Sequence, residues 1–276
     1  MPEGPEIKQE ADRLNEAIGG QMLISVFFAF EHLKSYEKTF IGESITFVEP
    51  RGKALLTHLS SNQTIYSHNQ LYGKWFVTPS NEPPNTGRSL RLALRSVSAD
   101  ALLYSASEID VWDTGEVYAH PYVANLGPEV LKPGVRLSSV VKQLENKRFR
   151  NRPLGVLLLD QAFVAGIGNY LRSDILHAAR LHPEWRPSDL TDHQRHELAQ
   201  AIRNITRQSY KTGGITNDLR RVRRLKASGQ TRAGYRHLAF NRDDDHCYTC
   251  GTPIEKIEFA GRRLYLCPAC QPDPAC

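Results

Sequence analysis

Sulfur is scarce through most of this 276-residue chain: it has 2 methionines, and all 5 cysteines lie between residues 247 and 276. A disulfide framework would spread its cysteines through a small secreted domain. That class is excluded, and crowding at one end points to a metal site. Long apolar runs are also missing; runs such as residues 156–159 suit core elements and fall far short of a membrane span. The opening MPEGPEIKQEADRLNEAIGG interleaves charged and apolar residues and is no secretory signal. The expectation is a cytoplasmic protein with no membrane partner. No internal repeat or low-complexity tract is present. The length allows two domains with a third small module.

One segment lacks acids altogether. Residues 219–236 hold seven basic side chains (Arg220, Arg221, Arg223, Arg224, Lys226, Arg232 and Arg236) and no Asp or Glu. The chain carries a net +5, so without these seven the remainder stands at −2. A second basic cluster is Lys147, Arg148, Arg150 and Arg152. Localised positive charge suits a polyanion such as nucleic acid. On charge alone, a solvated basic loop accounts for it equally well.

Ile7, Ala11, Leu14 and Ile18 share one face of a helix that stops at Gly19 and Gly20. Strand-like alternation follows over residues 22–30, 44–48, 54–59, 64–68, 75–77, 90–96 and 102–105. So many short strands, separated by turn-rich stretches such as 79–87, predict an antiparallel sandwich with flanking helices. After Gly127 and Pro128 the character changes: a Pro- and Gly-bearing stretch leads into helical patterns over 140–144, 156–163 and 170–180. A further helix opens on a capping box of Thr191 and Gln194, with Leu198, Ile202 and Ile205 on one face. The expected fold class is α+β and multidomain. A β-sandwich domain occupies 1–127, a linker 128–137, a helical domain 138–240 and a metal-binding ribbon 241–276.

The spacing Cys247-x2-Cys250-x16-Cys267-x2-Cys270 supplies four thiolates in two knuckles, the closed tetrahedral set that structural zinc prefers. A redox pair is the alternative. Residues 254–259 and 262–266 between the knuckles read as a hairpin, which makes a zinc ribbon holding one structural zinc. Cys276 falls outside the spacing and reads as a free tail thiol. At the other end, Met1 precedes the small residue Pro2, so the initiator should be removed and the proline nitrogen exposed. A terminal amine titrates near pH 8, far below lysine, so an appreciable fraction is an unprotonated nucleophile at neutral pH. Glu3 follows and can donate a proton to a leaving group or a sugar oxygen. Alone, Pro-Glu at a chain start is no more than a chain start. The glycine-bearing turn from Ala165 to Asn169 stands between two amphipathic helices, where backbone N–H groups at a helix N-terminus can hold a phosphate.

MPEGPE, RGKALL, SHNQLYG, LLDQAFVAGIGNYLR and the terminal four-cysteine ribbon occur together and in order, from residue 1 to Cys270. This set resembles the Fpg/Nei family, formamidopyrimidine-DNA glycosylase and endonuclease VIII. It lies nearer the endonuclease VIII branch through Gln70, Leu71, Tyr72 and RGKALL. The resemblance implies a β-sandwich, a helical domain with a helix–two-turn–helix motif and a zinc finger. It implies base-excision repair by a bifunctional glycosylase and abasic-site lyase that removes oxidised pyrimidines without an organic cofactor. By the same resemblance Pro2 attacks the sugar and holds a Schiff base, Glu3 is the proton donor, and Lys53 assists phosphate binding and β-elimination. Asn169 binds the phosphate beside the lesion, and Arg262 grips it and promotes δ-elimination. Gln70, Leu71 and Tyr72 fill the gap left by the extruded nucleotide.

The physical chemistry agrees with these implied roles. Reaching a base in a duplex requires taking it out of the stack, at about a few kcal/mol, which an apolar wedge offsets. Fixed cationic donors stabilise a departing phosphate. The implied partner is double-stranded DNA with oxidised bases or abasic sites, bound by a monomer. Where the endonuclease VIII branch carries an arginine before this Gly-Pro, the chain has Asn125, so the contact to the opposite strand falls to a shorter, neutral side chain. The stretch 213–235 is also more basic than the resemblance leads one to expect, as a lesion-contacting loop or a backbone clamp. Two rivals remain: a formamidopyrimidine or 8-oxoguanine enzyme of the same family, which the Gln70-Leu71-Tyr72 loop opposes, and a catalytically silent DNA-binding protein, which the intact Pro2 and Glu3 oppose. His58, His68 and His120 lack metal-ligand spacing and read as structural.

Overall fold

The computed structural model describes residues 2–274. Met1 and Cys276, and with it the expected tail thiol, lie outside the described residues. The chain forms two compact units, one of Pro2 with Glu6–Asn125, the other of Glu3–Pro5 with Leu126 onward.

The first unit is built from eight strands: β1 (Ser25–Phe28), β2 (Ile45–Arg51), β3 (Ala54–Leu59), β4 (Gln63–His68), β5 (Lys74–Pro79), β6 (Leu90–Arg95), β7 (Ala99–Tyr104) and β8 (Glu108–Asp113). They pair antiparallel in two sheets, ordered β1-β6-β7-β5 and β2-β3-β4-β8. Helix α1 (Gly4–Ile18) lays Ile7, Ala11, Leu14 and Ile18 into the same core as Phe28, Leu92 and Leu103 of one sheet and Ile45, Leu55 and Ile65 of the other. The sandwich and its first helix are thus as the alternation implies. Two short helices, α2 (Lys34–Thr39) and α3 (Pro121–Ala124), complete the unit. Strand β3 is buried at every residue, because Ala54 and Leu56 meet a second cluster with Tyr66, Val117 and Val123 on the other face. The alternation reading omits β8. Acids at 108, 110 and 113 dilute its pattern, yet Ile109 and Val111 face the core of this edge strand.

The second unit contains α4 (Leu137–Glu145), α5 (Leu154–Leu157), α6 (Asn169–Ala179), α7 (Asp192–Thr212), α8 (Leu219–Ala227), α9 (Arg232–Arg236) and the antiparallel hairpin β9 (Glu255–Phe259) and β10 (Arg262–Leu266). Helix α6 runs through its centre, packed on α7 and β10 over Leu171, Ile175, Leu198, Ile202 and Leu264. The capping box of α7 forms: Gln194 N donates to Thr191 Oγ1 at 3.2 Å, and Thr191 N donates to Gln194 Oε1 at 2.9 Å. Two expectations change. The helix expected over 156–163 is a single turn, α5, because Asp160 Oδ1 takes the Ala162 N–H at 2.9 Å and turns the chain. The acid-free segment is a helix, α8, and not a loop; Asp218 caps it by accepting from Arg221 N at 2.8 Å. Among the described residues, no helix is long and apolar enough to cross a membrane.

Candidate active site

The turn entering α6 is built by polar side chains. Gln161 Nε2 donates to Leu159 O and Ile167 O, each at 3.0 Å, and its Oε1 accepts from Gly166 N at 2.9 Å. The first N–H groups of a helix have no partner within it, and here Glu3 satisfies them. Its carboxylate accepts from Gly168 N at 2.7 Å, Tyr170 N at 2.9 Å and Leu171 N at 3.3 Å. The residue is only 3% exposed. A negative group at the positive end of a helix is what the macrodipole favours. Gly168 is required by this approach, since a Cβ there would lie 2.4 Å from Glu3 Cδ. The sequence reading offers these N–H groups to a phosphate. The structure gives three of them, on Gly168, Tyr170 and Leu171, to Glu3.

Asn169 opens α6, and Arg172 one turn on sets its orientation. Arg172 is fully buried. Its Nη2 donates to Asn169 Oδ1 at 2.6 Å and to Arg263 O at 2.9 Å, while Nη1 donates to Gly155 O at 2.9 Å. With Oδ1 engaged, the Asn169 amide has N–H groups left to offer, which suits an anion. Burial, helped by the Arg262 charge and opposed by Glu3, holds the Arg172 guanidinium down to about 10. Glu3, Asn169, Arg172 and Arg262 therefore share one electrostatic neighbourhood. Arg262 is exposed at the start of β10. One turn deeper, Asp174 accepts from Ala239 N at 2.8 Å and Phe240 N at 2.9 Å, tying α6 to the segment that leads into the ribbon.

The four ribbon cysteines offer Sγ atoms that all lie within 4.8 Å of one another. The Cys250–Cys267 and Cys247–Cys270 sulfurs are 3.4 and 3.9 Å apart. Zinc bonded tetrahedrally to sulfur at about 2.3 Å sets its ligands about 3.8 Å apart. The donor set fits one structural zinc, with all four positions taken by protein. His177 Nε2 stands 3.3 Å from Cys247 Sγ, the type of outer contact that orients a ligand.

The remaining site residues lie in the sandwich unit. Pro2 directly precedes Glu3 in the chain and is half-buried. Lys53 sits in the β2–β3 turn, and its backbone N–H donates to the Tyr122 hydroxyl at 2.8 Å. Burial pushes the nearby His68 imidazole below its ordinary value, Glu108 opposes this, and Lys53 adds to it. Gln70 takes a left-handed conformation with φ 49°, and both ends of its amide are held, by Glu108 Oε2 at 3.1 Å and Ser107 Oγ at 2.6 Å. Leu71 and Tyr72 stand out at 59% and 69% exposure. Exposed apolar side chains on a pinned loop suit a partner surface. Asn125 closes α3 and returns its amide to Pro121 O at 2.8 Å. His58 and His120 are buried, the latter stacked on Tyr66. Glu3, Asn169 and Arg262 thus belong to the helical unit, and Pro2, Lys53, Gln70, Leu71, Tyr72 and Asn125 to the sandwich unit. Sequence reasoning passed over Arg172, although its i+3 spacing from Asn169 within an otherwise apolar helix face was a usable signal.

The sandwich, the braced turn before a buried helix and the four-cysteine ribbon define a helix–two-turn–helix protein with a zinc ribbon. The chain matches the formamidopyrimidine-DNA glycosylase N-terminal domain over residues 1–107, the formamidopyrimidine-DNA glycosylase H2TH domain over 126–220, and the zinc finger found in FPG and IleRS over 246–272. It is 45% identical to endonuclease 8 of Escherichia coli O17:K52:H18 (strain UMN026 / ExPEC) over 98% of this chain and 100% of that relative. Endonuclease 8 of Salmonella arizonae is 44% identical over the same shares. Among solved structures, Lactococcus lactis Fpg in complex with DNA containing N7-benzyl-Fapy-dG superposes with a TM-score of 0.82 at 23% identity, covering 99% of this chain and 100% of that one. The same enzyme with abasic-site DNA gives 0.81 at 22% identity, covering 98% and 100%. The chain belongs to the Fpg/Nei family of DNA glycosylases and abasic-site lyases.

Proposed function

We propose that this chain excises oxidised pyrimidines from double-stranded DNA and cuts the strand at the resulting abasic site. Family membership and full-length identity to relatives named endonuclease 8 support the reading. The observation that carries it in this chain is Glu3, a buried carboxylate locked onto the start of α6 immediately after Pro2. In this reading the Pro2 nitrogen attacks the sugar anomeric carbon, the base departs, and the nitrogen lone pair forms a C=N bond to the opened sugar. Glu3 serves the proton transfers. Lys53, Asn169 and Arg262 hold the flanking phosphate, and their charge or N–H groups favour its departure by β- and then δ-elimination. Gln70, Leu71 and Tyr72 fill the space of the extruded nucleotide, and Asn125 meets the opposite strand.

The division at 1–127, 128–137, 138–240 and 241–276 is proposed to follow these tasks. The protein acts as a cytoplasmic monomer. The exposed α8 arginines, Arg220, Arg223 and Arg224, supply contacts to the DNA backbone.

Borohydride reduction on an abasic oligonucleotide tests the nucleophile. A covalent adduct should form and map by peptide analysis to residue 2. A chain retaining any residue ahead of Pro2 should hold DNA yet form no adduct, because its proline nitrogen is an amide. An adduct on an internal lysine of the mature protein would overturn the assignment.

A further inference from the structure

Two turns along α1 from Pro2, a carboxylate is buried that none of the steps above uses. Glu10 is 8% exposed, and its Oε2 accepts from Asn69 Nδ2 at 2.6 Å. Asn69, 2% exposed, is the neck of the loop that carries Gln70, Leu71 and Tyr72. Its backbone oxygen accepts from Gly73 N at 2.7 Å, which closes the loop. The closure is tight enough to demand glycine, because a Cβ at Gly73 would lie 2.5 Å from Asn69 O. Leu71 and Tyr72 project into solvent, and their loop is held by Gln70 against Ser107 and Glu108, by Arg88 donating to Tyr72 O, and by this neck. The neck side chain is in turn fixed by Glu10.

We propose that Glu10 is a positioning residue of the wedge: through Asn69 it registers the Gln70–Leu71–Tyr72 loop to the helix that begins beside the nucleophile. The proposal rests on the reading of that loop as the wedge. Its chemistry follows from the surroundings. Arg13 and Glu6 on the same helix and Lys74 at the start of β5 are the charged groups that face Glu10. Burial pushes its carboxyl up to about 7; Asn69, Arg13 and Lys74 oppose the rise, and Glu6 adds to it. An ionised Glu10 is a strong acceptor for the Asn69 amide and a neutral one a weaker acceptor. The grip on the neck therefore weakens as pH falls through this range. A wedge matters only where a base must be parted from its partner strand, so the effect belongs to duplex substrates.

The test uses the full-length zinc-loaded protein and one oligonucleotide carrying an oxidised pyrimidine, offered single-stranded and as a duplex, on both sides of pH 7. Both forms need Pro2, so the duplex-to-single-strand ratio of kcat/KM isolates the wedge. In the wild type this ratio should fall about tenfold as pH drops, the usual weight of one hydrogen bond to a charged group. Glu10→Gln, which is neutral at every pH, should hold the ratio flat at the low value. Asn69→Ala should do the same, and the double variant should lose no more than either single one. Zinc content and circular dichroism confirm that each variant is folded. A ratio that titrates in Glu10→Gln as it does in the wild type, or losses that add in the double variant, would overturn the proposal. Absence of any borohydride adduct with either substrate in the wild type would instead remove the underlying reading, and this proposal with it.

Discussion

The α8 helix allows a quantitative forecast of how binding responds to salt. At 100° per residue, Arg220, Arg223 and Arg224 fall within about 100° of arc, opposite the buried Val222 that anchors the helix. All three are exposed. Arg221 differs: it lies 4.4 Å over the Tyr248 ring, whose ring centre Arg242 approaches to 3.6 Å, and it donates to Asn217 Oδ1 at 2.9 Å. Arg221 is therefore part of the packing between α8 and the ribbon and should be left alone. Replacing Arg220, Arg223 and Arg224 by Gln removes three charges that the helix does not need. If each meets one phosphate, the slope of log K against log salt should become shallower by about 2.7, at about 0.9 per contact. Across a fourfold rise in salt the wild type should then lose about 40-fold more affinity than the variant. Fluorescence anisotropy of undamaged and lesion duplexes over a salt series reads both slopes. Stability should change by no more than about 0.5 kcal/mol per substitution, as for other exposed positions. An unchanged slope would refute the assignment of α8 to the DNA backbone. A loss confined to one lesion would make the helix a reader of damage.

Other outcomes follow from the same geometry. Cys247→Ser should abolish zinc binding and unfold the ribbon, with loss of DNA affinity, because a structural zinc site supplies folding energy directly; elemental analysis showing no zinc in a fully active wild-type protein would refute this. Arg172→Met should lower stability by about 3 kcal/mol, since it strips the donors from three carbonyl oxygens around α6, and Arg172→Lys should rescue little because it lacks the planar fork. Chemical denaturation measures both, and a cost under about 1 kcal/mol would show that the network relaxes. Glu10 also gives stability a pH dependence. Its folded carboxyl titrates at about 7 against an ordinary 4.5. The stability that this raised value contributes is fully present below pH 4.5 and is lost as pH rises through 7. Glu10→Gln should therefore gain on the wild type as pH rises, by up to about 3 kcal/mol at 1.36 kcal/mol per unit, and parallel melting curves at all pH values would contradict this. If neutral Asn125 meets the opposite strand, as proposed, excision of one oxidised pyrimidine should differ little among the four opposing bases; a strong preference for one would assign the discrimination to another residue.

Much of this molecule was legible along the chain because the signals are local. Alternation at period 2 marks strands whether or not their partners are known, and Thr191 with Gln194 marks a helix start because a cap is completed within four residues. The two cysteine knuckles point to a four-thiolate zinc site through their spacing, and the structure brings the four sulfurs together. Where a local pattern competed with tertiary packing, the sequence was silent or misleading. Strand β8 hid behind its acids because only pairing with β4 decides that Ile109 faces inward. The apolar run after Leu157 breaks because Asp160 and Gln161 spend their side chains on bending the backbone.

The candidate site divides in the same way. The sequence by itself determined which residue types were present and in what order: a proline with a carboxylate beside it, an asparagine after a glycine turn, an arginine in a hairpin, an apolar tip on a short loop. Only the tertiary structure decided that the helix N-terminus belongs to Glu3 rather than to a ligand, because that choice turns on a contact across 165 residues of chain. It alone decided that Arg172, buried and forked between Asn169 and Arg263, orients the amide of Asn169. It alone joined Glu10 to Asn69, 59 residues apart. Such contacts leave no periodic trace in the sequence, because each joins single side chains and not repeating faces, and burial is what gives them their energetic weight.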